Sequence, residues 1–152
     1  MQTTDTSPPK NKKGIKRIQD IVGALIYVGR EVNNKLLVEL SAIGDQQSAA
    51  TEDTAAGIEQ ILDYVATYLN DGILFKKSDM ILAAHKDAGF LNECRARSRA
   101  GAHIFISENE PKPKLNGPVL TIAQIIKTVM ASAAEAEMAE LFITAKKMTP
   151  LS

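Results

Sequence analysis

Apolar positions along the chain change their period near residue 72, from helical to strand-like, and return to helical at the end. Ile15, Ile18, Ile21, Val22, Leu25 and Ile26 recur at the i, i+3, i+4 spacing of an amphipathic helix. Asn33-Asn34 interrupts that pattern. Leu36, Leu37, Leu40 and Ile43 then mark a second short helix closing at Gly44. Ile58, Ile61, Leu62, Val65, Ala66 and Leu69 form the third stripe, with Thr51 as its cap and Glu52 and Asp53 in the dipole-favoured first turn. Asn70-Asp71-Gly72 supplies a stop. Three short apolar-striped helices in a row must bury their stripes against one another, which predicts a small helical packing unit. Ahead of them, residues 1–14 are polar, carry Pro8-Pro9 and end in Lys10, Lys12 and Lys13, so they read as a flexible tail.

After Gly72 the apolar runs shorten. Ile73-Leu74-Phe75, Met80 to Ala84, Ala102 to Ser107 and Val119 to Ile126 are bounded by charged or turn-forming residues, among them Asn116-Gly117. They predict neighbouring strands of one mostly antiparallel sheet. The chain ends on a helical pattern with Ala134, Met138, Leu141, Phe142, Ala145 and Met148 on one face, Lys146 and Lys147 in the last turn and Pro150 as terminator. Strands followed by a helix laid on them are α+β organisation. The expected division is therefore a tail over 1–14, a helical segment over 15–72 and a sheet with one C-terminal helix over 73–152.

Composition narrows the function classes. With 152 residues, 45% of them hydrophobic and 24% charged, the chain has the profile of a globular protein with a real core. Eighteen basic residues balance eighteen acidic ones, so no overall field draws it to nucleic acid or to a membrane. Cys94 is the single cysteine, which excludes an internal disulfide framework and a cysteine metal cluster and fits a reducing compartment. No apolar stretch is long enough to span a bilayer, and the first residues lack a signal peptide's apolar core. The expected location is intracellular, cytoplasmic or nuclear, and not secreted.

The candidate chemistry is carboxylate chemistry. Asp87 follows the run Met80-Ile81-Leu82-Ala83-Ala84-His85-Lys86, and Glu135, Glu137 and Glu140 lie on the closing helix. An acid at the mouth of a strand, with another on a helix packed across it, brings oxygens together for the hard cation Mg²⁺. The alternative for Asp87 is a turn residue at a strand end, next to Gly89. Ser132-Ala133-Ala134-Glu135 is a Ser-x-x-Glu capping box, which gives Glu135 a structural task and leaves Glu137 the better ligand. Glu140 is expected in solvent or paired with a lysine. Arg95, Arg97 and Arg99 alternate on a polar segment and form the candidate phosphate contact, with a solvated loop as the alternative. Cys94 beside them reads as an exposed thiol.

Four stretches, taken together, resemble the Pol polyprotein of copia-type retrotransposons, where reverse transcriptase runs into RNase H. Ile18-Gln19-Asp20-Ile21-Val22-Gly23-Ala24-Leu25-Ile26-Tyr27 resembles the family's "SLVGxLLYL" helix, and Ile61 to Ile73 resembles "RxLRYLKGTxxxGI". His85-Lys86-Asp87-Ala88-Gly89-Phe90 with Arg97 to Phe105 is similar to "YSDADW…RxSTSGYVF", and Ser132 to Met138 to "SSTEAEY". All four occur in the family's order. The resemblance implies a partial RNase H-like sheet, metal-dependent hydrolysis of RNA in RNA–DNA hybrids, and Mg²⁺ (or Mn²⁺) held by Asp87 and Glu137. It also implies that His85 and His103 stand at strand positions where the family has Tyr, as sheet-facing aromatic substitutes. The family's third Asp, in a "CDN" context after the helix, and its polymerase "YxDD" have no counterpart in these 152 residues. Weak metal binding and little or no activity from this chain alone are expected. The alternatives are a non-catalytic nucleic-acid-binding or interaction module, and a decayed remnant without function. A strand absent from the sheet would leave an unpaired edge, and with it self-association.

Overall fold

The structure, a computed structural model, describes residues 5–93 and 96–151. These residues divide at Gly72/Ile73 into two compact units. The class is α+β: among the described residues there are four α-helices and one three-stranded antiparallel sheet.

The first unit is built from α1 (Lys12–Glu31), α2 (Leu37–Gln46) and α3 (Glu52–Thr67). Their stripes meet as expected, in a core of Ile18, Val22, Leu25, Leu36, Leu40, Ile43, Ala50, Ile58 and Ile61. α1 and α2 approach closely at Gly29, where a Cβ would stand 2.9 Å from Leu37 Cδ2. α1 is a twenty-residue helix rather than a short one. At the far end of α3 the stripe stops early: the helix closes at Thr67 and Leu69 is exposed.

Residues 5–14 depart from the expected tail. α1 already begins at Lys12 with Asn11 as its cap, and the residues before it serve the N-terminus of α3. The first turn of a helix has free N–H groups that need acceptors. Here Glu52 N–H donates to the Pro8 carbonyl at 3.0 Å, Asp53 N–H to Ser7 Oγ at 3.2 Å and Thr54 N–H to Thr51 Oγ1 at 3.3 Å. Lys10 N–H adds a bond to the Ala50 carbonyl at 2.9 Å. Thr51 thus caps α3, as expected, and its own N–H donates to Thr54 Oγ1 to complete a capping box.

The second unit holds β1 (Ile81–Glu93), β2 (Arg97–Ser107), β3 (Pro118–Ile126) and α4 (Ala133–Met148). The strands lie in the order β1-β2-β3, so β1 and β3 are edges. Two expectations change here. Residues 73–80 are not a strand; they are held by the side chain of Asn116, whose Oδ1 accepts from Lys76 N–H at 2.6 Å while its Nδ2 donates to the Lys76 carbonyl at 2.8 Å. Gly117 permits the approach, since a Cβ there would lie 2.8 Å from the Leu74 carbonyl oxygen. Nor does β1 end near Ala84. It pairs with β2 from Ile81↔Ser107 through Asp87↔Gly101 to Gly89↔Arg99, so Asp87 lies within the ladder and not at its mouth.

Alternation then sorts the side chains. On one face Leu82, Ala84, Ala88 and Phe90 of β1 and Ala100, Ala102 and Ile104 of β2 pack toward Ala136, Ala139 and Ile143 of α4. The other face carries Ala83, His85 and Asp87 opposite Phe105, His103 and Gly101. The inward face of α4 is Ala136, Glu140 and Thr144, flanked by Ala139 and Ile143. That corrects the expected stripe, because Met138, Leu141 and Phe142 point to solvent.

Candidate site at Lys86 and helix α4

Lys86 is the residue of β1 that faces the acids of α4. As an even-numbered residue it shares the helix-facing side with Ala84 and Ala88. Its Nζ donates to Glu137 Oε2 at 3.2 Å and lies 3.2 Å from Glu140 Oε2. Glu140 is fully buried, whereas the Glu137 side chain is about half exposed. Thr144, one turn further along α4, donates its hydroxyl to Glu140 Oε1 at 2.5 Å. Glu140 Oε2 makes no further hydrogen bond, so the ammonium of Lys86 is what compensates this buried charge. The pairing holds the Lys86 amine above its ordinary range, through Glu140 first and Glu137 second.

The local sequence explains the placement. Ser132 accepts from Glu135 N–H at 3.1 Å and starts the helix as expected. The Glu135 carboxylate accepts from Ala131 N–H at 2.7 Å, one residue before the cap, and so keeps its structural task at the helix start. With the start fixed, the helical period turns Ala136, Glu140 and Thr144 onto the sheet. The small side chains of Ala84, Ala88, Ala100, Ala102, Ala136 and Ala139 leave room for a lysine stem and a carboxylate between the layers.

Asp87 and Glu137 are not brought together. Glu137 bonds Lys86 from the helix side, and Asp87, the next residue along the strand, points to the opposite face beside His85. The two carboxylates therefore do not fit a shared Mg²⁺ or Mn²⁺ ion. A metal at Glu137 and Glu140 would have to displace an ammonium already in contact with both. Among the described residues no group of three or more His, Cys, Asp or Glu is arranged to hold a metal.

Arg99 is buried on β2, with its Nε donating to Glu93 Oε1 at 2.5 Å. Arg97 begins β2 and has an interaction of its own. Cys94 and Arg95 lie outside the described residues. His85 stacks on Phe105 with ring centroids 5.3 Å apart and planes 4° from parallel, and His103 packs against the same ring. His103 Nε2 also lies 2.9 Å from the Asn116 carbonyl oxygen. Both histidine rings thus pack on Phe105, His85 stacked and His103 tilted.

Lys86 is the site residue that the linear text did not single out; Glu140, expected in solvent or paired with a lysine, is buried and paired with Lys86. Their signals were present: Ala84-x-Lys86-x-Ala88-x-Phe90 shares one strand parity, and Glu140 is spaced four from both Ala136 and Thr144. No family model, no curated protein and no solved structure matches this chain. No helix among the described residues is long and apolar enough to cross a membrane.

Proposed function

We propose that the chain is a copia-type fragment, from the end of reverse transcriptase into RNase H, that does not hydrolyse RNA–DNA hybrids and acts as an interaction module. Support for the ancestry comes from the four ordered stretches of sequence. Support for the absence of hydrolysis comes from one observation: the ammonium of Lys86 lies between Glu137 and Glu140. A hydrolytic site of this kind needs divalent ions bound by several converging carboxylates. Here Asp87 faces away from the helix, and Glu137 and Glu140 are both engaged by the ammonium of one lysine of the same protein.

An interaction role is favoured over hybrid binding by the surface. The chain has no net positive charge, and Arg99 is spent on Glu93. By contrast the outer face of α4 leaves three large apolar side chains in solvent. Exposed apolar surface of that kind marks protein contacts more often than phosphate contacts.

The test is a cleavage assay on a labelled RNA–DNA hybrid with the full chain and Mg²⁺ or Mn²⁺. No cleavage above the metal-only control is expected. Hybrid cleavage that disappears in Asp87→Asn would overturn the reading. In the same preparations, hybrid retention that weakens with Arg97→Ala would replace the interaction module by a nucleic-acid-binding one.

A further inference from the structure

We infer that the outer face of α4 is a docking surface for a second copy of this chain, with the two helices antiparallel about a two-fold axis. The inference rests on the interaction reading above and adds its partner.

Ala134, Met138, Leu141 and Ala145 recur at intervals of four, three and four along α4, with Phe142 beside them, which is the seam of a helix that packs on another helix. The opposite face, Ala136, Glu140 and Thr144, is already buried on the sheet. One helix therefore carries two packing faces, and among the described residues only one is covered. Met138 is 73% exposed, Leu141 53% and Phe142 67%. Small Ala134 and Ala145 at the ends of the seam let two backbones approach closely.

Charge selects the occupant and its direction. Glu135 and Lys146 lie on the same flank of the seam, next to Phe142, at opposite ends of the helix. Two copies related by a two-fold axis near Leu141 bring Glu135 of each against Lys146 of the other. A parallel arrangement would set acidic ends together and basic ends together. The surface is thus complementary to itself in one orientation, as an isologous interface requires. A seam one helix long buries little area, so the expected association is a monomer–dimer equilibrium at roughly micromolar concentration and not an obligate dimer.

The experiment is sedimentation velocity on the full chain over a concentration series, with far-UV circular dichroism to verify folding of each variant. Wild type should move from monomer to dimer, and Leu141→Glu should remain monomeric. Met138→Glu repeats the test if Leu141→Glu unfolds. Lys146→Glu, and Glu135→Lys with the further loss of its contact to Ala131 N–H, should each dimerise about tenfold more weakly, because both exposed pairs become like-charged. Mixing these two variants should restore association, since each then meets the opposite charge. A wild type that stays monomeric throughout would overturn the proposal. So would a dimer that survives Leu141→Glu and yields instead to a proline within β1, which would assign the contact to the sheet edge. A mixture no tighter than either variant alone would overturn the antiparallel orientation. None of these readouts depends on hydrolysis: a hybrid-cleaving dimer would refute the non-hydrolytic reading and leave this one standing, and a non-cleaving monomer would do the reverse.

Discussion

Lys86 concentrates the chemistry of the sheet unit in one side chain. Removing it as Lys86→Ala leaves Glu140 buried without a counter-charge, and the sheet unit should lose much of its stability. Removing both charges together, as Lys86→Met with Glu140→Leu, should restore most of that loss or exceed wild type, because an apolar pair needs no desolvation of ions. Thermal unfolding of the single and double variants checks this; additive losses would contradict it. The sign of the pH dependence follows from the raised lysine. Its contribution is complete below the unfolded value of 10.5 and declines as pH rises through the higher folded value, so an alkaline component of unfolding should vanish in Lys86→Met. On the acid side Asp71 is held below its ordinary 3.8, first by its hydrogen bond from Lys35. Its contribution is present above 3.8 and is lost as pH falls through the lower folded value, and Asp71→Asn should abolish that part of the acid transition. The caps at Thr51 and Ser132 were legible in the sequence because capping partners lie within three residues. Lys86 was not, because its partners lie more than fifty positions away and only strand parity and helix phase together bring them in reach.

Among the elements, those with a strong period were read well and those defined by pairing were not. α1, α2 and α3 declare themselves through apolar spacing. β1 outruns its apolar text because Lys86 and Asp87 interrupt the hydrophobic run, yet a ladder is made by backbone groups, which a polar side chain does not remove. Ile73-Leu74-Phe75 is the opposite case, an apolar run that pairs with no strand among the described residues, while Asn116 bonds the backbone of Lys76 next to it. Gly117→Ala should therefore destabilise the sheet unit by about 1–3 kcal/mol, since the added methyl meets a backbone carbonyl. Thr51→Ala should cost the helical unit about 1 kcal/mol. Deleting residues 1–10 should cost it more than Thr51→Ala does, because Pro8 and Ser7 satisfy further N–H groups of α3. Chemical denaturation of these variants decides; a deletion with no effect would contradict the capping role of that segment. α4 shows a different limit. Its sequence carries two apolar stripes, and nothing local says that the smaller one, around Ala136, faces the sheet.

For the whole molecule, the α+β class was readable from the change of period near Gly72. Each unit has its own core: Leu40 and Ile58 in one, Ala100 and Ile104 in the other. Ile58→Ala should therefore lower the opening free energy of amides in the helical unit by about 2–4 kcal/mol, with little change in the sheet, and Ile104→Ala should do the converse. Amide hydrogen exchange separates the two. What the linear text could not supply was the side of the sheet on which each acid falls, because a single residue of register exchanges the faces. The expected pairing of Asp87 with Glu137 turns on that one step, and its absence adds to the support that the ammonium of Lys86 gives the non-hydrolytic reading. The most direct test is calorimetric titration of Mn²⁺ into the full chain and into its Asp87→Asn and Glu137→Gln variants. The account predicts no Mn²⁺ site that depends on both side chains, because Asp87 faces away from the side on which Glu137 meets Lys86. A Mn²⁺ site present in the wild type and lost in each of the two variants would mean that one ion uses both carboxylates, and would contradict it.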